Sequence, residues 1–389
     1  MEVKQIYELV NSISGEVLGR TDIVSEDLTG VVDLGTEVFN ANAVDNYVKS
    51  LVNHIGKVVF VNRPYAGKVP SVLMDAWEFG SVLEKISADV PEAEENDTWN
   101  LKDGQTYSQD VFHKPTVTAK FFNSKVTFEV PVSITERQVK ESFSSAAQLN
   151  GFISMIYAAV EKSITIKTDA LVMRTINNMI AETFIADATA FGGDSPDYSS
   201  ASTVRCVNLL KLYNDKFTKT LTAEAAVTDP EFIRFASYTM GLYADRMQSI
   251  STLFNVGKKE RFTPKDMLHV VLLSDFAKAA QTYLYSDTYN KEQVLLPNAE
   301  TVPAWQASGT DYGFDNVASI MVKASSGKTV VLTGILGVMF DRDALGVTNL
   351  DRRVTTNYNA KAEFFNNYYK FDAGYFNDTN ENFVVFYAA

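Results

Sequence analysis

Ser326-Gly-Lys-Thr329 has the composition that ends a phosphate-binding loop. The full motif needs another glycine five residues before Gly327, and Val322 occupies that position. Without this glycine the backbone cannot wrap closely around a phosphate. We therefore interpret the segment as a turn that precedes a strand.

The histidines and the single cysteine give no catalytic or metal-binding signature. His54, His113 and His269 are far apart in the sequence, and none lies in an HExxH pattern. We expect His269, within an apolar stretch, to be a hydrogen-bonded core residue. Cys206 follows Arg205 with no histidine nearby, which favours a buried structural thiol over a reactive one.

Two groups of carboxylates could bind a cation or share a proton. The first is the acidic run Asp89, Glu92, Glu94, Glu95 and Asp97. It lacks the alternating ligands and the glycine of an EF-hand, which favours a solvated loop tip. Asp341 and Asp343 bracket Arg342 beside a strand end, and a surface ion pair or a helix N-cap is favoured over an acid pair. The sequence thus predicts no catalytic, cofactor-binding or metal-binding residue.

Composition limits the function further. The chain has 389 residues, 46% hydrophobic and 21% charged, as expected for a globular protein of several substructures. Its net charge of −13 argues against binding a phosphate backbone as the main task. No stretch approaches the roughly 20 apolar residues of a membrane span, and the N-terminus has no export pattern, so we expect a protein made in a cytoplasm.

One long helix organises the elements. Residues 152–191 contain neither glycine nor proline, and Ser145-Ala-Ala-Gln148 forms a capping box before them. A helix from Ser145 to Phe184 would be roughly 60 Å long. Its apolar stripe changes phase near Ile166, so different neighbours should cover its two halves. This pattern is typical of a strut, with a long core helix of an all-α domain as the alternative.

The pattern of the N-terminal third predicts an extended arm and a hairpin rather than a compact core. A helical stripe ends at Gly15, and residues 16–42 could form an extended arm. A helix over residues 44–55 is followed by a strand at Val58–Val61. Strands over residues 82–90 and 116–122 flank the acidic run, which predicts a projecting hairpin too small to stand alone. A further strand begins at Lys125 and ends at Pro131.

The C-terminal half reads as alternating helices and strands. We expect helices over residues 204–217 and after Asp229-Pro230, and a compact α/β unit over roughly 225–345. Thr329–Phe340 is a continuous apolar run, typical of one central strand. The last 33 residues hold eleven Phe or Tyr residues and lead to a strand over 382–387.

This order of parts resembles the major capsid proteins of tailed bacteriophages, which have the Hong Kong 97 fold. Several stretches are also similar to capsid proteins of short-tailed phages. These stretches are Trp77-Glu-Phe-Gly-Ser-Val-Leu-Glu-Lys-Ile86, Ser142-Phe-Ser-Ser-Ala-Ala-Gln-Leu-Asn-Gly-Phe152 and Asn367-Tyr-Tyr-Lys-Phe-Asp372. The resemblance covers nearly the whole chain, and its motifs are architectural rather than catalytic.

The resemblance implies an α+β capsid fold divided into an arm, an E-loop, a P-domain and an A-domain. The expected boundaries are 1–57 for the N-terminal arm, 58–129 for the E-loop, 130–221 with 346–389 for the P-domain, and 222–345 for the A-domain. Some relatives cross-link subunits through a Lys–Asn bond promoted by a Glu. Asn367 and Glu363 do not align with that pattern, so the resemblance implies no covalent chemistry here.

The function implied is a shell subunit that is not an enzyme and needs no cofactor. It would assemble into hexamers and pentamers of an icosahedral or prolate capsid enclosing double-stranded DNA, with a separate scaffolding protein and a portal as partners. The virion is its expected location. An encapsulin-like nanocompartment and a cytosolic α/β enzyme or binding protein are the alternatives. Deleting residues 63–123 would separate them, since a shell protein should stay folded but lose assembly.

Overall fold

The computed structural model describes residues 3–21, 24–25, 30–40, 43–61, 69–74, 83–88, 93, 95, 97–107, 114, 117–193, 196–285, 299–306 and 313–389. Its helices are α1 (Val3–Leu18), α2 (Val31–Asn40), α3 (Val44–Val61), α4 (Glu136–Ser142), α5 (Ala146–Ala186), α6 (Leu209–Phe217), α7 (Ala223–Ala226), α8 (Pro230–Arg246), α9 (Ser274–Tyr285) and α10 (Phe314–Val317). Its strands are β1 (Leu73–Met74), β2 (Leu83–Ala88), β3 (Val117–Phe122), β4 (Lys125–Thr135), β5 (Cys206–Asn208), β6 (Leu268–Leu273), β7 (Ala299–Val302), β8 (Ile320–Lys323), β9 (Thr329–Leu332), β10 (Ile335–Asp341), β11 (Leu345–Asn359), β12 (Phe364–Asn377) and β13 (Phe383–Tyr387).

The long helix predicted from the sequence is confirmed as α5. The Ser145 Oγ accepts a hydrogen bond from the backbone N–H of Gln148 at 3.2 Å, which satisfies a donor at the helix start. The stripe that begins at Leu149 is buried along the first half, and a second stripe, from Leu171 to Phe184, is buried along the rest. Gly192, with φ of 98°, ends the short 3₁₀ turn that follows.

The chain divides into two compact units. The first contains α1 to α4, α5 up to Val172, β1, β4, most of β11 and β12 up to Gly374. Its sheet has the order β1-β11-β12-β4, and its core joins the N-terminal helices, the first half of α5 and the aromatic row of β12. The aromatic residues of the tail thus act partly as core.

Three expectations for this first unit are wrong. Residues 16–42 are not extended in their described part, because α2 buries a helical stripe containing Leu34 and packs Gly35 against Phe143. Residues 58–61 continue α3 as helix, since extending an established helix outweighs a weak local strand preference. Pro131 does not end β4. It lies opposite Tyr368 in an edge strand, where its missing N–H is tolerated.

The second unit contains the β2–β3 hairpin, α5 from Met173, the elements from β5 to β10 and the chain from Tyr375. Its main sheet has the order β5-β13-β10-β6-β7, and every residue of β10 and β13 is buried. The expected A-domain, 222–345, lies within this unit. So do residues 173–221 and 375–389, which the resemblance assigns to the P-domain.

Two local predictions in the second unit need correction. The run Thr329–Phe340 is broken into β9 and β10 at Gly334, whose φ is 72°. A Cβ there would lie 1.9 Å from the carbonyl oxygen of Ala388, so the close approach requires glycine. Residues 206–208 form β5 rather than helix, and Asn208 caps α6 instead. The helix after Asp229-Pro230 is confirmed as α8, with Asp229 as its N-cap.

Candidate assembly interface

The hairpin expected around the acidic run is present. Strands β2 and β3 pair antiparallel, from Leu83 opposite Phe122 to Ala88 opposite Val117. Of the five carboxylates of the acidic run, Asp89, Glu92 and Glu94 lie outside the described residues. The paired strands β2 and β3 belong to the second unit.

One face of this hairpin, which we call the apolar face, is uncovered and carries a single charged residue, Glu84, opposite Phe121. Residues directly opposite each other in an antiparallel pair share a face, so Ile86, Val117 and Phe121 lie on the same side. Their exposed fractions are 64%, 55% and 62%. Large apolar side chains that are clustered and more than half exposed are typical of a binding surface, whereas single scattered ones are common on any protein.

The opposite face carries two lysines that bind a buried carboxylate. Lys85 and Lys120 lie directly across from each other, an unfavourable pairing of like charges on its own. Asp378, 2% exposed, is positioned between them. Its Oδ2 lies 3.1 Å from Lys85 Nζ and its Oδ1 lies 2.9 Å from Lys120 Nζ. Lys85 also pairs with Glu381 at 2.8 Å. We call these four residues the hairpin latch.

The electrostatics of the latch favour the charged states of Asp378 and Lys85. Burial alone raises the pKa of Asp378, but the hydrogen bond from Lys120 and the charge of Lys85 outweigh it and leave the pKa below its ordinary value. Burial alone lowers the pKa of Lys85, but the hydrogen bond and charge of Glu381 outweigh it and raise the pKa. Both shifts favour the charged forms, so Asp378 and Lys85 form an ion pair at neutral pH.

The latch was missed by the sequence analysis. Side chains alternate between the two faces of β2 and β3, so the sequence alone could have shown that Lys85 and Lys120 lie on the face opposite the apolar one. Their partner Asp378 lies 258 residues from Lys120, and no local pattern relates the two. An aromatic contact supports the same junction, since the rings of Phe122 and Phe376 are 5.1 Å apart.

The residues considered for catalysis or ligand binding lie in different parts of the structure. Ser326, Gly327 and Lys328 lie in the turn between β8 and β9, with Gly327 at φ of 82°, and Thr329 begins β9, which confirms the predicted turn before a strand. Cys206 is buried in β5, and burial raises the pKa of its thiol well above the usual range. His113 lies outside the described residues.

The expectations for His269 and Asp341 are wrong. Neither ring nitrogen of His269 has a hydrogen-bond partner, and the ring packs 6.0 Å from Phe340 on the next strand. Burial, assisted by the charge of Arg342, lowers the pKa of His269, so the neutral ring is favoured. Asp341 is neither a surface ion pair nor a helix N-cap. It is 4% exposed and accepts hydrogen bonds from Thr263 Oγ1 and the Asp343 backbone.

His54 lies beside a serine and a carboxylate, which the sequence did not indicate. Its Nε2 is 3.0 Å from Ser12 Oγ, and its Nδ1 is 2.9 Å from the Ser50 carbonyl and 3.7 Å from Glu16. Ser12 lies in the middle of α1, where backbone N–H groups bond within the helix and cannot stabilise an oxyanion. We interpret the cluster as a polar link between α1 and α3.

Asn367 and Glu363 both belong to the β11–β12 hairpin. Asn367 is completely buried on β12, and neither atom of its amide group is hydrogen-bonded. Glu363, at φ of 52°, lies in the turn, where its carbonyl oxygen accepts a hydrogen bond from the Glu136 backbone at 3.0 Å. No three metal-ligating side chains converge anywhere in the described part of the chain. Over the same residues, no helix is long and apolar enough to cross a membrane.

The chain is similar to a family of known proteins and to several solved structures. The model of the Phi29-like phage major capsid protein family matches residues 8–387. A chain in the structure of head fiber and inner core protein gp22 of native bacteriophage P68 superposes with a TM-score of 0.50 at 8% identity, over 83% of this chain and 85% of that one. The capsid structure of Staphylococcus phage Andhra gives 0.48 at 10% identity, over 83% and 84%. No curated protein matches by sequence.

Proposed function

The chain belongs to the Phi29-like phage major capsid protein family, and from this premise we propose how it builds its shell. As a major capsid protein it assembles from many copies and is a component of the virion. We propose that the copies form hexamers and pentamers of an icosahedral or prolate shell around double-stranded DNA. The subunit contributes surfaces rather than catalysis.

The observation that carries this proposal is the uncovered apolar face of the β2–β3 hairpin. The latch holds the opposite face to its own subunit, so Ile86, Val117 and Phe121 face away from it. A second copy of the chain can cover them, as an E-loop does in the proposed assignment of 58–129. Repeated small contacts of this kind accumulate into a stable shell without one large interface.

The remaining domain assignments follow the same proposal. Residues 1–57 are the N-terminal arm, 130–221 with 346–389 the P-domain, and 222–345 the A-domain. A separate scaffolding protein and a portal act during assembly in the host cytoplasm. The net charge of −13 supports a container that encloses DNA without binding it specifically.

The test is a triple variant, Ile86→Ser with Val117→Ser and Phe121→Ser, expressed with the neighbouring phage genes. All three side chains are more than half exposed, so we expect normal folding by circular dichroism but loss of closed particles by electron microscopy. Met321→Ser removes a side chain of 62% exposure from another hairpin and is the matched control. Wild-type particle yield from the triple variant would contradict the proposal.

A further inference from the structure

The side chain of Gln306 is bound to the backbone of a strand. Its Nε2 donates a hydrogen bond to the Met321 carbonyl oxygen at 3.0 Å, and the Met321 N–H donates to Gln306 Oε1. A primary amide carries the same kinds of donor and acceptor as a peptide group. Gln306 therefore makes with β8 the two hydrogen bonds that a residue of a neighbouring strand would make.

The residue that Gln306 binds lies on the outer edge of the β8–β9 hairpin. The Ala324 N–H donates to the Lys328 carbonyl at 2.9 Å, so these residues form a hydrogen-bonded pair at the end of the ladder. Hydrogen-bonded and non-hydrogen-bonded pairs alternate in an antiparallel ladder, so Met321 and Val331 form a non-hydrogen-bonded pair. The N–H and C=O of Met321 therefore point away from β9. In the described part of the chain, β8 and β9 form a sheet of two strands, and no third strand covers this edge.

Gln306 is held at this edge by its neighbour Trp305, which is 2% exposed. The indole N–H of Trp305 donates to the Ile335 carbonyl at 2.9 Å, and its backbone N–H donates to the Val317 carbonyl at 3.0 Å. The Trp305 carbonyl oxygen accepts a hydrogen bond from Asn177 Nδ2 at 3.1 Å. These contacts fix the backbone beside Gln306, so its amide loses little further conformational freedom when it binds the edge.

An open edge at this position would favour pairing with strands of other molecules. Strands β8 and β9 are rich in β-branched and apolar residues and contain no proline. Met321 and Val331 share one face of the hairpin and are 62% and 52% exposed. Short segments of this composition with an unpaired edge are typical sites of edge-to-edge association.

We propose that Gln306 is an edge guard, a side chain that occupies the outward hydrogen-bonding groups of β8 and so keeps strands of other molecules from adding to it. Many copies of a shell subunit are present together before assembly, and an open strand edge would divert them into irregular aggregates. The guard acts in the unassembled subunit and is separate from the apolar face of the β2–β3 hairpin.

Hydrogen exchange of the full-length chain tests the contact. In Gln306→Ala we expect the Met321 amide to exchange roughly tenfold faster than in the wild type, because it loses its acceptor. Gln248→Ala is the matched control, since the Gln248 amide also donates to a backbone carbonyl, that of Ala244 at 3.1 Å, but at the end of a helix. It should leave the Met321 rate unchanged. Equal Met321 rates in Gln306→Ala and in the wild type would overturn the inference.

Association of the unassembled subunit tests the role. Gln306→Ala should form irregular aggregates at roughly one tenth of the wild-type concentration, measured by light scattering and thioflavin fluorescence, and Gln248→Ala should behave as the wild type. Adding Met321→Lys to Gln306→Ala should restore solubility, because a lysine on an edge strand also prevents strand pairing. Aggregation that the lysine does not relieve would trace to unfolding and reject the edge guard. A Gln306→Ala chain as soluble as the wild type would reject it too.

Discussion

Replacing Asp378 by Asn should loosen the β2–β3 hairpin from its own subunit. The substitution keeps the shape of the side chain and removes the charge that separates Lys85 from Lys120. Removing one partner of a buried ion pair costs roughly 3–5 kcal/mol. Lys120 is 37% exposed and regains hydration, so we expect the lower part of that range, about 3 kcal/mol.

Two measurements check this prediction. Urea unfolding should show the lower free energy of unfolding, and hydrogen exchange should show faster exchange of the amides in β2 and β3 than in β10. A double-mutant cycle with Lys85→Met should give a coupling energy of about 1–2 kcal/mol, because both substitutions remove the same Lys85–Asp378 ion pair. The reasoning would be refuted if the β2 and β3 amides of Asp378→Asn exchanged at the wild-type rate and its free energy of unfolding changed by less than about 0.5 kcal/mol.

The pH dependence of the latch follows from the same groups. The pKa of Asp378 is lower in the folded chain, so its stabilisation is full above the ordinary carboxyl value of 3.8 and is lost as pH falls through the lowered value. The pKa of Lys85 is raised, so its contribution is full below 10.5 and is lost as pH rises through the raised value. The protection of the β2 and β3 amides against hydrogen exchange should therefore stay constant between about pH 3.8 and pH 10.5 and decrease outside this range.

Three further outcomes are expected. Gly334→Ala should destabilise the chain by several kcal/mol, because the added Cβ would lie 1.9 Å from the Ala388 carbonyl oxygen. Gly327→Ala should cost only about 1 kcal/mol, because open space surrounds that position. Thermal melts of the two variants compare these losses of stability. Cys206 should react with a thiol reagent only at the rate of unfolding, because it is buried and its pKa is raised. Phe184→Ala, at a fully buried position of α5, should lower the free energy of unfolding by roughly 3–5 kcal/mol in urea titrations.

Periodic patterns allowed much of the fold to be predicted. The stripe and cap of α5 are encoded in adjacent residues, and so are the Asp229 cap of α8 and the alternation of β2. Predictions failed where a distant contact decided the outcome. Gly334 interrupts an apolar run because Ala388 passes against it, and residues 31–40 are helical because Phe143 and its neighbours cover their buried side.

The sequence by itself determined that this chain has a long helix, a two-stranded hairpin, an aromatic tail and no motif for catalysis. These features depend on spacing within a few residues, which is fixed by the repeat of the helix and the strand. Only the tertiary structure decided which face of the hairpin is free. That choice depends on Asp378 meeting Lys85 and Lys120 across more than 250 residues, because ion pairing acts through distance in space and leaves no periodic signal along the chain.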